Sequence, residues 1–353
     1  SVYAHDIYSE GLRLPLVKII DAGKINDDLV SLMTSNSRTP ETLRGDLLAQ
    51  IAASIIGAQR LSKLADSYGS RPLYEGINSL LDYTEKLTRD EINKIPDGHY
   101  VFNDWVDNDG SLDHKEPIKI KVKMLVKGSN IKVDFSGSSP QVKTAINNVP
   151  SSGTSAVMFG IRTLTGHKAP DNEGGFRPVS IHFPKGSILN PTFAAPVASR
   201  SVSLRRVVDV VLGVLAKALP RKYPAANCGQ ASVIYCGSFD EATKETIVGA
   251  IGGPWMGGMG ARPNKDGIDV TDHDASNVYH VPLEVSEAEL PIRFEKMELW
   301  KDSGGPGKWR GGLGFYSEVQ WLKGKATASI RRDRHKFKPW GLSGGSPGPL
   351  CRT

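Results

Sequence analysis

Cysteine is scarce in this chain of 353 residues, which contains Cys228, Cys236 and Cys351 and no others. An odd count without a CxxC pair gives no support to a disulfide framework. Sparse, unpaired cysteines are typical of a reducing compartment, and we therefore expect a cytoplasmic protein. A buried structural role for Cys228 is favoured over catalysis, because the sequence pairs no histidine with it.

Long apolar runs and common nucleotide or hydrolase motifs are also missing. The best membrane candidate, Val207–Leu219, is interrupted by Asp209 and Lys217 and is shorter than the about 20 residues that span a bilayer. We therefore expect no membrane association. The chain starts at Ser1 without a signal peptide, as expected for a processed chain or a fragment. P-loop, G-x-S-x-G and HExxH patterns do not occur, so none of these sites is supported on this chain.

Neither sign of charge dominates strongly. The 44 Lys and Arg against 38 Asp and Glu give a formal charge of +6, with an isoelectric point near 9.0. The basic residues are scattered, and the only dense cluster is RRDRHKFK at 331–338. A nucleic-acid surface requires such residues on one face together with aromatic or groove-reading elements. We therefore expect no nucleic-acid partner.

Glycine and proline are abundant, with 37 and 22 residues, and their many turns favour a strand-rich architecture. Thr39, Pro40 and Gly69 predict one long helix at 40–69, because they match an N-cap, a first helical residue and a stop. Alternating apolar residues over Ile118–Val126 predict a strand that returns at 131–135 as an antiparallel hairpin. Other helices are predicted at 25–34, 72–86, 88–94, 152–165 and 201–219, and other strands at 100–106, 232–236, 246–251, 292–299, 315–321 and 326–331.

These elements predict an α+β protein in which strands follow strands, a pattern that disfavours a doubly wound parallel sheet. We expect a mainly helical N-terminal segment at 1–96. Residues 97–353 are expected to form a large, mostly antiparallel β region with packed helices and glycine-rich loops. Gly45 and Gly57 lie within the long helix, and we expect close packing against a neighbour to offset their cost of about 1 kcal/mol each.

The stretch Gly249–Glu284 concentrates special residues. It opens with six glycines in twelve residues. Glycine suits positions where a ligand or another backbone comes close, and the interleaved Trp255, Met256 and Met259 argue against a solvated linker. A binding loop is therefore favoured over a mobile surface loop. A divalent cation site is only weakly indicated, because the spacing of the polar series matches no known loop. That series consists of Asp266, Asp269, Asp272, His273 and Asp274.

Two further glycine-rich turns lie at 170–178 and 303–314. The first, PDNEGGFRP, places Asn172, Glu173 and Arg177 close together in the chain. One interpretation is a polar binding turn. The alternative is a turn held by its own Asn and Asp side chains.

Seven short strings, most of them rich in glycine, follow one another along essentially the whole chain. They are DIYSEGLRLPLVKI (6–19), GDLLAQIAA (45–53), VDFSGSSPQV (133–142), PDNEGGFRPV (170–179), GGMGARPNKDGID (257–269), DSGGPGKWRGGLG (302–314) and PWGLSGGSPG (339–348). Any one of them is a weak signal, whereas the ordered set resembles the hydantoinase B family of enzyme subunits. That family includes N-methylhydantoinase B subunits, the C-terminal half of 5-oxoprolinases, caprolactamase, and the acetone and acetophenone carboxylases.

The resemblance implies one component of an ATP-dependent enzyme with two subunit types. A hydantoinase A-like partner, with an actin- or Hsp70-like nucleotide site, is expected to bind ATP and phosphorylate the amide or enolate oxygen of a small-molecule substrate. The B-like component then carries out hydrolysis or carboxylation. We therefore expect a hetero-oligomer with ATP on the partner subunit, in agreement with the missing phosphate-binding loop.

The chain departs from the family pattern at both ends. Family members carry a long stretch before the EGLR-like string, with the His and Asp residues expected to bind a divalent metal, Zn or Mn. They also continue beyond the PWGL string. The resemblance thus implies a metal bound mainly outside this chain, and no metal ligand is assigned on it. The missing parts are expected either on separate chains or in a longer form of this one.

Site residues follow from the resemblance and from the chemistry of the matching positions. Asp266 and Asp269 are the expected catalytic residues, which would orient water or a ligand. The amides at 257–260 would stabilise an oxyanion or a phosphate, and Arg177 or Arg262 would pair with an anionic group. The alternative is that these turns only shape a compact sheet protein. The expected substrate-binding set is Asn172, Glu173, Arg177, Gly257, Gly258, Gly260, Arg262 and Glu284.

Three functions are consistent with the sequence. The first is a subunit of an ATP-dependent amidohydrolase that opens a cyclic amide, namely a hydantoin, 5-oxoproline or a lactam. The second is a subunit of an ATP-dependent ketone carboxylase of the acetone or acetophenone type. The third is a non-catalytic assembly subunit. Bound metal would separate the third from the others, and product analysis with and without bicarbonate would separate the first two.

Overall fold

The computed structural model describes residues 4–111, 115–230, 232–239, 241, 243–244 and 246–352. Six α-helices lie in this part of the chain: α1 Asp27–Ser35, α2 Pro40–Tyr68, α3 Ser70–Ile92, α4 Pro150–Thr165, α5 Ser201–Ala218 and α6 Leu283–Glu289. The described strands are β1 Ile20–Asp21, β2 Lys24–Ile25, β3 Gly98–Val106, β4 Ile118–Lys127, β5 Asn130–Asp134, β6 Val179–His182, β7 Ser232–Phe239, β8 Thr246–Trp255, β9 Ile292–Leu299, β10 Phe315–Trp321 and β11 Thr327–Arg331. No described helix is both long and apolar enough to cross a bilayer.

The main sheet has the strand order β3-β4-β5-β6. β4 alternates strictly, so that Ile118, Ile120 and Val122 are buried while the intervening lysines lie on the other face. β3, β4 and β5 pair antiparallel, which confirms the predicted hairpin, and β6 joins β5 in parallel. The sequence did not predict β6, because four residues with every second position exposed give a weak periodic signal.

Helices α4 and α5 and the end of α3 cover the buried face of this sheet and complete the larger apolar core. α5 lies between the sheet and α4, and nearly all of its residues are buried. Two glycines allow the close approach. A Cβ on Gly160 of α4 would lie 2.4 Å from Val211, and one on Gly213 of α5 would lie 2.7 Å from Phe102 of β3. The predicted helices at 152–165 and 201–219 are confirmed to within two residues.

A second, smaller β region follows α5. β7 pairs with β8 and β11, and β9 pairs with β10, all antiparallel. A small apolar cluster around Cys236, Ile251 and Ile292 lies between these two sheets. The α+β expectation with mostly antiparallel pairing is therefore confirmed, and β5–β6 is the only parallel pair among the described strands.

Two expectations about the helical segment were wrong in detail. The helices predicted at 72–86 and 88–94 form one helix, α3, because no glycine or proline separates them, and the Thr84 and Thr88 hydroxyls bond carbonyls four residues earlier. No close neighbour offsets the glycines of α2 among the described residues, since a Cβ on Gly45 or Gly57 would meet nothing within 4 Å. The division of the chain at residue 96 stays a prediction.

Helix α2 is unusual in being exposed almost throughout. Leu47 is its one buried residue among 29. The segment 47–58, LLAQIAASIIGA, is apolar around most of the helix, and Ile55 and Ile56 are each 47% exposed. Helices with apolar residues all round are normally buried.

Candidate functional site

Two glycine-rich loops pack against each other beside the smaller β region. We call residues 257–270 loop A and residues 303–314 loop B. Gly312 N donates to Met259 O at 2.8 Å, and Val270 N donates to Leu313 O at 2.9 Å. Within loop A, Met259 N donates to Ile268 O at 3.0 Å. The two loops therefore form one hydrogen-bonded backbone unit.

The glycines of this unit are required by the approach of neighbouring backbones. A Cβ on Gly258 would lie 1.9 Å from Gly312 O, and one on Gly260 would lie 1.9 Å from Ala225 O. Gly257 N already donates to Thr271 O. The glycine density that predicts a binding loop is thus explained first by loop packing, and an oxyanion role for the amides at 257–260 stays a prediction.

A cavity of about 1060 Å³ opens against this unit. Loops A and B form part of its wall, the apolar faces of β7 to β11 another part, and residues 339–352 a third. Four tryptophans are among the described residues that line it, namely Trp300, Trp309, Trp321 and Trp340. Its volume is slightly above the range that is usual for small-molecule sites, about 300–1,000 Å³.

The charge of the cavity wall has one sign. Among the described residues that line it, no Asp or Glu occurs. The cationic lining residues are Arg221, Arg262, Lys308, Arg332, Arg334 and Arg352.

Behind the cavity lies a buried ionic cluster that joins the two β regions. Arg206 of α5 is fully buried, and its Nη1 donates to Asp104 Oδ2 at 3.0 Å and to Asp209 Oδ2 at 2.6 Å, while its Nη2 donates to Asp333 Oδ2 at 2.7 Å. Arg334 binds the same two oxygens of Asp104 and Asp209, each at 3.0 Å. Residues far apart in sequence therefore hold the main sheet, α5 and the chain after β11 together.

Burial and pairing oppose each other in this cluster. Burial raises the pKa of Asp104 and of Asp333 to about 6 each, although the Arg206 charge acts in the opposite direction. Burial lowers the pKa of Arg206, but the three neighbouring carboxylates outweigh it, and the net shift is upward. Arg206 therefore remains cationic.

Loop residues 271–274 connect the cluster to the cavity wall. His273 is fully buried, and its Nε2 lies 3.2 Å from Asp209 Oδ1. Asn227 Nδ2 donates to Asp274 Oδ1 at 3.3 Å. Cys228 is half-buried with its sulfur against Gly257, and burial raises the pKa of its thiol to about 12. A thiolate at Cys228 is disfavoured at neutral pH, so the structural role predicted for it is favoured.

The acidic series that weakly predicts a cation site is divided between two places. Asp266 and Asp269 contact loop B, whereas Asp272 and His273 are buried beside the ionic cluster. Among the described residues, no group of three or more His, Cys, Asp or Glu is arranged to hold a metal ion. These side chains therefore do not fit a metal, and none is assigned as a ligand below.

Comparison with known proteins agrees with this architecture. The sequence model of the Hydantoinase B/oxoprolinase family matches residues 1–353. The chain belongs to this family. It is 35% identical over 364 residues to a putative D-/L-hydantoinase B subunit of Pseudomonas sp. (strain NS671), covering 98% of this chain and 59% of that protein. The hydantoinase B-family chain thus spans about three fifths of the length of this relative.

Two solved structures share the fold. The crystal structure of the ATP-dependent caprolactamase from Pseudomonas jessenii matches with a TM-score of 0.87 and 25% identity, over 99% of this chain and 64% of that one. A nucleotide-free acetone carboxylase structure also matches with a TM-score of 0.87, over 98% of this chain and 48% of that one. Its identity is 18%, so this second match concerns the fold alone.

The expected substrate-binding residues of this family member fall in separate places. Gly257, Gly258, Gly260 and Arg262 line the cavity. The turn at 170–178 lies instead on α3, where Arg177 Nη1 donates to Asp82 at 2.6 Å and to Glu85 at 3.0 Å.

Asn172 caps a short 3-10 turn by accepting from Gly174 N at 2.9 Å, and it donates to Thr84 Oγ1 at 2.9 Å. Glu173 and Glu284 are exposed, Glu284 in the first turn of α6. None of the residues of the 170–178 turn, and not Glu284, is among the described residues that line the cavity. Their substrate-binding role stays a prediction.

Asp266 and Asp269 link loop A to loop B. Asp266 Oδ1 accepts from Arg310 N at 2.7 Å. Asp269 Oδ1 accepts from Arg310 Nη1 at 2.9 Å and from Leu313 N at 2.7 Å. Arg310 lowers the pKa of Asp269, so this carboxylate is ionised at neutral pH. That state suits the orientation of a water or a ligand and disfavours a role as general acid.

Sequence reasoning missed most of the cavity wall. Trp300, Trp340 and Arg352 line it, although the sequence alone assigns no role to them. The strings DSGGPGKWRGGLG and PWGLSGGSPG contain two of the lining tryptophans, Trp309 and Trp340, and were the available signal.

Proposed function

We propose that this chain is the part of a B-type subunit that helps an ATP-dependent enzyme to open a cyclic amide such as a hydantoin, 5-oxoproline or a lactam. The observation that carries the proposal is the family match over residues 1–353. The similarity to an ATP-dependent caprolactamase over 99% of the chain supports the hydrolytic reaction over the alternatives. A hydantoinase A-like partner would bind ATP and activate the substrate.

The chain contributes a cavity and two acidic residues to this proposed reaction. The cavity provides cationic and aromatic side chains, and the unit of loops A and B provides a rigid wall. Asp266 and Asp269 are proposed as catalytic residues that orient water or substrate from that unit. Both also hold the loops together, so their two roles must be separated by experiment.

The direct test is reconstitution of the complete B-type protein with its A-type partner. Native mass spectrometry and metal analysis of the complex would give the partner and any bound Zn or Mn. Product analysis with ATP and a panel of cyclic amides would then follow, with and without bicarbonate. We expect a ring-opened product independent of bicarbonate. A product that forms only with bicarbonate would instead establish the ketone carboxylase alternative.

The catalytic role of Asp269 is tested by Asp269→Asn, which keeps the size of the side chain. A catalytic carboxylate predicts a fall in kcat of at least about 100-fold, together with a loss of stability of less than about 1 kcal/mol. Asp90→Asn is the control, because Asp90 of α3 pairs only with Lys86 of the same helix among the described salt bridges and does not line the cavity. A small change in kcat together with a lower melting temperature would show that Asp269 only holds loops A and B together.

A further inference from the structure

The cavity combines cations, aromatic rings and an absence of acids that the rest of the chain does not share. Asp and Glu number 38 in the whole sequence against 44 Lys and Arg, so an average surface of this protein carries both signs in similar amounts. The described lining residues of the cavity instead include six cations and no acid. Clefts lined by one sign of charge attract ligands of the opposite sign.

Two of these cations contact neutral groups, which do not cancel their charge. Arg262 donates from Nε and Nη2 to the backbone oxygen of Asp266, at 2.9 and 2.6 Å. The guanidinium of Arg352 lies 5.4 Å from the ring centre of Trp300. Arg334 differs, because Asp104 and Asp209 neutralise it.

The aromatic residues indicate the shape of the ligand. Trp300, Trp309 and Trp340 line the same cavity as Arg262 and Arg352. Indole rings bury flat or apolar groups, and arginine forks bind the planar oxygens of carboxylates and phosphates. An inorganic ion would leave the aromatic wall without a partner, and a neutral ring would leave Arg262 and Arg352 without a counter-charge from the described cavity wall.

We propose that this cavity binds an organic anion, a ring-bearing molecule with a carboxylate or a phosphate. Its charged oxygens lie toward Arg262, Lys308 and Arg352, and its ring packs against the tryptophans. The source of the anion rests on the proposed function. Hydrolysis of the amide C–N bond by water yields a carboxylate, which bears a ring where the substrate carries a second one. Transfer of a phosphoryl group from ATP to the amide oxygen releases ADP and yields a phosphorylated ligand that keeps the amide ring. The binding itself requires neither ATP nor turnover.

Calorimetric titration with matched probes tests the proposal. Benzoate and phenyl phosphate supply the ring with each anion, and benzamide supplies the ring without charge. We expect both anions, or one of them, to bind at least about tenfold more tightly than benzamide, and the difference to shrink in about 0.5 M salt. Tighter binding of phenyl phosphate identifies a phosphorylated ligand, and tighter binding of benzoate identifies a ring-bearing carboxylate.

The site is located by the double variant Arg262→Gln/Arg352→Gln, with Lys63→Gln on exposed α2 as the control. The double variant is expected to bind the anions about tenfold more weakly and benzamide unchanged, whereas the control matches the parent protein. If the double variant melts earlier than the parent, Lys308→Gln alone gives the same comparison at an exposed position.

Three results overturn the proposal: equal affinity for benzamide and the anions, anion binding that the substitutions leave intact, or no anion binding at about 10 mM, well above a millimolar Kd. Because these titrations contain no ATP and no partner, their failure leaves the cyclic-amide activity to be judged by its own assay. A failed activity assay likewise does not change the interpretation of the titrations.

Discussion

The buried ionic cluster and the cavity are both rich in arginine, yet the arginine charge is neutralised by carboxylates in the cluster and not in most of the cavity. In the cluster, Arg206 and Arg334 lie within 3.0 Å of carboxylates supplied by the same chain. In the cavity, Arg262 and Arg352 face a wall without described acids. Arg334 belongs to both and marks the boundary between them. An arginine whose counter-charge is supplied by the same chain is a structural residue. An arginine that lacks such a counter-charge keeps its charge available for a ligand.

The largest expected effect comes from removing the same side chain in each region. Arg206→Met leaves three buried carboxylates without their common partner and is expected to lower the free energy of unfolding by about 3–5 kcal/mol. Arg262→Met removes bonds to one backbone oxygen and is expected to cost less than about 1 kcal/mol. Urea denaturation at pH 7 measures both. Equal losses would remove the distinction between the two regions.

The second test concerns the glycine wall of the cavity. Gly258→Ala places a Cβ 1.9 Å from Gly312 O, and we expect it to cost about 3 kcal/mol by forcing loops A and B apart. Gly45→Ala in α2, where a Cβ meets nothing within 4 Å, is the matched control and is expected to stabilise by about 1 kcal/mol. Thermal unfolding measures the change in stability of both variants. If Gly258→Ala loses no stability, loops A and B can move apart without cost.

The pH dependence of stability sharpens the description of the cluster. The pKa of Asp333 is raised from 3.8 to about 6 in the folded protein, so between these values the folded state holds a proton that the unfolded state has released. This contribution is full below about pH 4 and is lost as the pH rises through about 6. At about 1.4 kcal/mol per pKa unit, the rise from 3.8 to about 6 amounts to about 3 kcal/mol.

Asp333→Asn removes this titration. The stability difference between parent and variant, measured in urea at several pH values, is therefore expected to change over the window from pH 4 to 6 and to stay level above about pH 7. Glu91→Gln on α3 is the control, because Lys94 lowers the pKa of Glu91 and its contribution is instead lost as the pH falls. A parent and an Asp333 variant with parallel pH profiles would contradict the raised pKa.

The smallest expected effect is that of a half-exposed ion pair between loops A and B, Asp269 with Arg310. Asp269→Asn weakens the bonds from Arg310 and Leu313, and since the carboxylate is 35% exposed, we expect a loss of less than about 1 kcal/mol. Because the pKa of Asp269 is lowered in the folded protein, its contribution is present at neutral pH and is lost as the pH falls through the folded value. Differential scanning calorimetry should show a smaller difference near pH 3 than at pH 7. A loss of stability as large as that of Arg206→Met would show that Asp269 is as important for stability as the residues of the ionic cluster.

The sequence predicted those parts of the fold whose signal is local. Pro40 and Gly69 bound α2 as expected, and the alternation of β4 over Ile118–Val126 was decisive. The ionic cluster had no such signal, because Asp104 lies 102 residues from Arg206, and Asp333 lies 127 residues beyond it. Pairs at that separation are set by the way α5 packs on the sheet, which no pattern within a window reveals.

Only part of the candidate site could be predicted, because only part of it has a local sequence signal. Gly257, Gly258 and Arg262 lie in one conspicuous stretch, and all three line the cavity. Trp300 and Arg352 reach the cavity from two separate segments of the chain. Their proximity depends on the packing of loop B. The glycine density showed that something would come close, but not that Gly312 of loop B, rather than a ligand, would do so at Gly258.

Helix α2 affects how this chain behaves in solution. With one buried residue in 29, it can open locally while the sheet core stays intact, because its opening exposes little further apolar surface. Its amide hydrogens should exchange early, and a protease should cut there first. Loss of α2 from a peptide map therefore reports local opening rather than global unfolding. The apolar segment 47–58 is also a part of the surface through which the isolated chain is prone to aggregate.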